Sequence, residues 1–184
     1  PIAVALVGEQ GRIGDEQLLV MNAEKASFTL QAEPGPEAPA LSLLRRFSAP
    51  VNVQLEQPLQ ESLQLLAHDD DPFSRWDAGQ RLARQVLLAR AADQPDATVE
   101  TALISALRQR LSAYGGSGGQ DLAILLALPG TAELEALQNP VDPLALYAAR
   151  REWIADLGRH LSDPLHRLLE RCRGDWGQAW PEGQ

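Results

Sequence analysis

The hydrophobic period of the chain changes once, inside Leu43–Ala83, and that change limits what the chain can fold into. Upstream, Val51, Val53 and Leu55 alternate with polar Asn52, Gln54 and Glu56, the period-two pattern of a half-buried strand. Downstream the strand pattern does not return. Pro58 follows at once; it cannot donate to a sheet ladder but suits the first position of a helix. The chain is therefore expected to leave a sheet and enter a helical region near Gln57, giving two domains, residues 1–56 and residues 57–184.

Before the joint, Ile2, Val4 and Leu6 share one face of a strand that ends in the turn-rich GEQGRIGDE. Gln17–Met21, Ser27–Gln31, Leu41–Arg45 and Val51–Glu56 read as further short strands, and EPGPEAPA over Glu33–Ala40 as a stiff extended loop. Five strands make only part of an immunoglobulin-like sandwich, which uses about seven. A small self-contained five-stranded barrel is the alternative. If sandwich strands are absent, some strand has lost its ladder partner and can pair with another chain. Ile2–Val7 is the expected orphaned edge.

After the joint, Asp71-Pro72, Asp142-Pro143 and Asp163-Pro164 each place a capping carboxylate before a first-turn proline. Three helix starts are expected there, with a kink or break at Pro164. Val99, Ala102, Leu103, Ala106, Leu107 and Leu111 form one apolar helical face. Leu122–Leu128 reads as a short buried helix stopped by Pro129-Gly130, with Thr131 capping the next one through Leu137. Leu146, Ala149, Trp153, Leu157 and Leu161 line a longer helix. Short connections favour antiparallel helix pairs stacked as in a solenoid. Gly115–Gly119, within YGGSGGQ, reads as a flexible link, native or engineered.

A net charge of −9 with a single lysine, Lys25, and no cationic stripe argues against nucleic acid as a partner. One cysteine, Cys172, excludes an intrachain disulfide and any cysteine-based zinc cage. No apolar run is long enough for a membrane span and no signal peptide is evident. A reducing, cytoplasmic setting is expected. The start at Pro1, without methionine and directly in a strand, suggests a piece of a longer protein.

The blocks RRFSAPV and LLAHDDDPFSRWDAGQRLA, flanked in order by PIAVALVGEQG, EKASFTLQ and DLAILLALPGTAELEALQNPVDPLALYAAR, resemble the junction between the third and fourth domains of bacterial aminopeptidase N, a family of M1-class zinc metallopeptidases. The resemblance covers nearly the whole chain and implies an α+β, multidomain fragment. An N-terminal partial immunoglobulin-like β-sandwich would be followed by the start of an antiparallel α-helical, solenoid-like domain. It implies a hydrolase parent that removes N-terminal residues from peptides. In that parent the β domain braces the catalytic domain and the helical domain covers the active site. Partners would be the remaining domains of the parent and its peptide substrates.

Zinc-dependent peptide hydrolysis needs two imidazoles one helical turn apart, a further carboxylate ligand and a glutamate to activate water. The histidines here are His68, His160 and His166, and no His-Glu-x-x-His is present. The segment Gly-x-Met-Glu-Asn, which holds the substrate amine in the family, is missing too. No catalytic, cofactor-binding or metal-binding residue is therefore assigned: zinc belongs to the parent, and the 184-residue chain is expected to be inactive alone. His68 with Asp69, Asp70 and Asp71 is the one tempting cluster, but adjacent residues point in different directions and Asp71 is already used as a helix cap. His160 and His166 are expected to be solvated or capping.

Trp76 is expected to be a core anchor at the domain joint, with Arg75 and Asp77 available for ion pairs, and Trp176 and Trp180, in the Gly-rich tail, either to mark a surface covered by a C-terminal remainder or to pack back onto the helices. Two other function classes stay open: an autonomous helical interaction module with a β cap, and a small hydrolase using the carboxylates of Asp69–Asp71. The second lacks a credible base or nucleophile.

Overall fold

The computed structural model describes residues 1–31, 38–51, 53–114 and 119–173. The expected loop at Glu33–Ala40 falls largely, the Gly115–Gly119 link mostly, and Trp176 and Trp180 wholly, outside the described residues. Two compact units are present, Pro1–Leu82 and Ala83–Gln184.

The first unit is built on a three-stranded antiparallel sheet in the order β2-β1-β3, with β1 at Ile2–Gly8, β2 at Gly11–Leu19 and β3 at Ala40–Leu43. β1 and β2 form a tight hairpin, Gly8 facing Gly11 across two turn residues, and Gly11 takes a φ of 104° that a side chain would resist. Farther along, Val4 faces Gln17 while Leu6 faces Ile13, so Gly14, Asp15 and Glu16 bulge opposite Ala5. Gly14, at φ 67°, makes the bulge possible. β1, the central strand, is buried at Ala3, Val4, Ala5 and Val7, on both of its faces.

That position corrects the expectation for Ile2–Val7: β1 has a ladder partner on each side, and the sheet edges belong to β2 and β3. Ser27–Gln31 and the described part of Val51–Glu56 are not strands. Val51, Val53 and Leu55 are all exposed rather than alternating in burial. Beside them the carbonyl of Leu41 in β3 accepts a side-chain N–H from Gln57, at 2.8 Å, instead of a strand. The sheet is open, so the five-stranded barrel is not what forms among the described residues. A single 3-10 turn, Arg45–Phe47, follows β3. Helix α1, Leu59–His68, then covers β1 and β3 through Leu65 and Leu66, and the Gln64 amide donates to the carbonyl of Val7 at 3.1 Å.

Helix α2, Pro72–Ala91, starts where the Asp-Pro pair places it: the Asp71 carbonyl accepts the first helical bond, from Arg75 N–H. In the second unit α3, Ala97–Ser112, is capped by Asp96, whose Oδ1 accepts from the N–H groups of Thr98 and Val99 at 2.9 and 3.2 Å. Its buried residues are Val99, Leu103, Ala106, Leu107 and Leu111, the face read from the sequence. Two short helices follow, α4 at Gly119–Leu125 and α5 at Thr131–Glu135. The cap of α5 is Gly130, with no side-chain cap bond, so Thr131 is not its cap.

Helix α6, Pro143–Arg173, begins at the capping carboxylate of Asp142, which accepts from Ala145 N–H at 3.0 Å. It continues through Pro164, so Asp163-Pro164 is neither a start nor a break. A proline removes one helical hydrogen bond, a cost of about 3 kcal/mol that tertiary packing can outweigh, and Pro164 is buried. The core of the unit is the packing of α3 and α5 on the face of α6 that carries Leu146, Ala149, Trp153 and Leu161. Trp153 is 0% exposed and Arg90 stacks 4.8 Å from its ring centre. The Arg90 guanidinium also forks onto Glu100 at 2.7 and 2.8 Å and reaches Asp156 at 2.7 Å, which raises its pKa through the Glu100 hydrogen bonds despite burial.

Candidate functional site

The densest group of chemically capable side chains lies in the first unit, where the turn after β3 meets the turn between α1 and α2. Four carboxylates converge there: Glu16 from the β2 bulge and Asp69, Asp70 and Asp71 from the α1–α2 turn. At their centre is Arg45, a cation 2% exposed. Its Nε donates to Glu16 Oε2 at 2.9 Å, one terminal nitrogen to Asp69 Oδ1 at 2.6 Å and to Ser42 Oγ at 2.9 Å, and the other to Asp70 Oδ1. Every face of the guanidinium fork is therefore met by an acceptor.

The neighbours complete the set. Arg46 donates from its side chain to Glu16 and from its backbone N–H to Asp71 Oδ2 at 2.8 Å, and Arg12 lies 3.2 Å from Asp70. The Ser74 hydroxyl also donates to Asp71 Oδ2, at 2.9 Å, and Asp71 N–H donates to Asp69 Oδ1 at 2.9 Å. The Arg46 hydrogen bond, with that of Arg45, holds the Glu16 carboxyl below the usual range against the opposing effect of burial. Burial also opposes the charge on Asp70, but the hydrogen bond and charge of Arg45, with the charge of Arg12, outweigh it and lower the pKa. For Arg45 itself burial works against the cation, yet Asp70 and Asp69 raise its pKa further above the ordinary value.

Backbone strain accompanies the cluster. Leu44, Arg46 and Phe47 take φ values of 57°, 52° and 53°, a left-handed conformation that costs side-chain-bearing residues of order 1–3 kcal/mol each. The ion pairs of Arg45 and the Asp71 contact to Arg46 N–H hold that turn in place. Phe47 is thereby set edge-on to Phe73 at 5.5 Å, and Phe73 lies 5.7 Å from Trp76.

The arrangement is a clasp between a strand end and a helix turn rather than an acid–base pair. The carboxylate oxygens that could take a proton or a metal ion face guanidinium groups or backbone N–H groups. Asp69 Oδ2 is buried without a hydrogen-bond partner. His68, at the end of α1, contributes no bond to the cluster, and His160 and His166 are exposed on α6, the latter bonded to Ser162 one turn earlier. No group of three or more His, Cys, Asp or Glu side chains is placed to hold a metal ion among the described residues.

Trp76 is half-buried, so among the described residues the fully buried indole is Trp153 and not the one expected at the joint. Arg75 and Asp77 do not pair with each other: Arg75 donates to the Asp69 carbonyl at 2.7 Å, and Asp77 meets Arg81 one turn on at 3.2 Å. Arg45 is the residue that sequence reasoning missed, being placed in a strand. Its signal was the run Asp69–Asp71, since consecutive carboxylates near a core need a cation.

Residues 1–56 match the model of a domain of unknown function, DUF3458, with an Ig-like fold, and residues 59–179 match DUF3458_C, a domain of unknown function described as ARM repeats. Aminopeptidase N of Caulobacter vibrioides is 38% identical over 90% of this chain and 19% of its own length. Aminopeptidase N of Escherichia coli is 28% identical over 90% of this chain and 20% of its own length. A crystal structure of Legionella pneumophila aminopeptidase A in complex with aspartic acid superposes with a TM-score of 0.76 at 26% identity, covering 100% of this chain and 21% of that one. The chain thus spans about a fifth of the relatives it matches. It belongs to the DUF3458_C family of ARM-repeat domains, carries an Ig-like DUF3458 domain ahead of it, and is homologous to a stretch of bacterial aminopeptidase N.

Proposed function

We propose that the chain is a noncatalytic, architectural part of a zinc aminopeptidase that removes N-terminal residues from peptides in the cytoplasm. The domains are residues 1–56, which brace the catalytic domain, and residues 57–184, which begin the helical cover over the active site. The observation that carries this reading is the 38% identity to aminopeptidase N over nearly the whole chain, at a coverage of only 19% of that protein.

The residues present do not fit the zinc ion of such an enzyme. The sequence contains no His-Glu-x-x-His, and the three histidines lie at the end of α1 and on the exposed side of α6 rather than on facing positions of one helix. The carboxylates that do cluster are engaged by Arg45, Arg46 and Arg12. Metal and catalysis are therefore assigned to other parts of the parent, and the clasp around Arg45 is assigned the task of fixing the turn between sheet and helices. The test is hydrolysis of an alanyl chromogenic substrate. Activity is expected from the product of the complete reading frame and not from the 184-residue chain. Chelator-sensitive activity in the chain itself would overturn the reading.

A further inference from the structure

The chain leaves β2 at Leu19, and residues 20–31 after it are in neither helix nor strand. Residues 20–29 are exposed throughout: even the apolar Val20, Met21 and Phe28 are 52%, 49% and 42% exposed. Among the described residues, none of residues 21–31 makes a hydrogen bond or ion pair with the rest of the chain. Burial and backbone hydrogen bonding decide where a folded chain resists cutting, and this segment has neither. Lys25 lies in its middle. It is the only lysine in the sequence, and Ala26 follows it, where a proline would block a protease. Its ammonium has no carboxylate partner among the described residues, so it is available to the acidic pocket of a lysine-directed enzyme.

The piece ahead of Lys25 is held to the remainder by more than the peptide bond. It carries β1 and β2, and β1 lies between β2 and β3. β1 pairs with β3 from Val4, opposite Leu43, to Val7, opposite Ala40. Ala3 N–H donates to Ser48 Oγ at 2.8 Å, and the Gln64 amide donates to the Val7 carbonyl at 3.1 Å. Arg45 and Arg46 both donate to Glu16, and Arg12 lies 3.2 Å from Asp70. Ala3, Val4, Ala5 and Val7 are buried. A strand that adds its ladder bonds and its apolar side chains to a sheet is bound without any covalent link.

We propose that the Lys25–Ala26 bond is a cleavage site for lysine-specific endoproteinases in the folded state, and that the nicked chain stays assembled, residues 1–25 remaining as a hairpin in the sheet completed by residues 26–184. Hydrolysis adds water across that amide and leaves a carboxylate on Lys25 and an ammonium on Ala26. Both positions are exposed, so the new charges are solvated and do not force the sheet apart.

Digestion of the 184-residue chain with a lysine-specific endoproteinase tests the proposal, with a peptide of residues 20–31 cut under the same conditions as the reference and mass spectrometry identifying the products. Both are digested in buffer and at urea concentrations below the unfolding transition. Cleavage that waits for global unfolding would run roughly 10³-fold or more slower than in the peptide, and its relative rate would climb with urea as the unfolded population grows. The expected rate is instead within about tenfold of the peptide's, as for a segment that needs little or no opening, and the ratio stays flat with urea. On gel filtration of the digest in buffer, residues 1–25 should elute together with residues 26–184, and the two should separate in concentrated urea. Protection of the unfolding-limited kind would overturn the proposal, and so would separation of the two pieces in buffer.

Discussion

The guanidinium of Arg45 and the carboxylate of Asp69 meet at 2.6 Å with side chains 3% and 0% exposed. A pair so far from water is held less by its attraction than by the cost of leaving either member alone. Arg45→Met should therefore destabilise the first unit by about 3–5 kcal/mol, the range for an uncompensated buried charge. Arg45→Met combined with Asp69→Leu should recover part of that loss. Urea unfolding measures both, and a single-variant loss below about 1 kcal/mol would show that the clasp contributes little.

The same cluster gives the fold a pH dependence with a definite sign. Glu16 and Asp70 have pKa values lowered in the folded state, by the Arg46 and Arg45 hydrogen bonds against burial. A lowered folded pKa means that the unfolded chain takes up the proton first as acid is added. Their contribution is complete above the ordinary carboxylate range, about pH 4, and fades as pH falls through it to the lowered folded values. Glu16→Gln should flatten the acid limb of the melting-temperature profile while changing its shape little near neutrality. An unchanged acid limb would contradict the assignment.

Trp153 and Trp76 should respond differently to truncation. Trp153 is 0% exposed under Arg90, and Trp153→Ala should cost about 3–5 kcal/mol. Trp76 is half-buried against Phe73, so Trp76→Ala should cost clearly less. Thermal melts of the two variants side by side decide the order, and equal losses would contradict it.

The sheet order makes a matched pair of lysine substitutions informative. Val4, 0% exposed in the central strand, should not tolerate lysine, and Val4→Lys should abolish cooperative unfolding. Leu18, 64% exposed on the edge strand β2, should accept lysine with a change within about 0.5 kcal/mol. The bulge at Gly14–Glu16 already blunts that edge, so sedimentation should show Leu18→Lys and the parent chain alike as monomers at rising concentration.

These positions show what the residues alone disclosed. The helical half was largely legible because its signals are local: Asp142 caps α6 as its pairing with Pro143 predicts, and the apolar spacing from Val99 to Leu111 reproduces the buried face. Asp163-Pro164 carries the same local signal as Asp142-Pro143, but packing carries the helix through it. The sheet was less legible because strands need partners that local pattern does not supply. Val51, Val53 and Leu55 alternate correctly and find no ladder, whereas RIGDE, read as turn, joins β2 through a bulge. Arg45 was hidden for the same reason. Its four carboxylate neighbours lie 24–29 residues away in sequence or are reached through Arg46.

The central claim is that zinc and catalysis belong to parts of the parent outside this chain. Zinc bound per polypeptide after dialysis, measured by atomic spectroscopy on the 184-residue chain and on the product of the complete reading frame, tests it most directly. About one zinc per chain is expected in the complete product and none in the shorter one. Stoichiometric zinc on the 184-residue chain, lost on His68→Ala or Asp69→Asn, would contradict it.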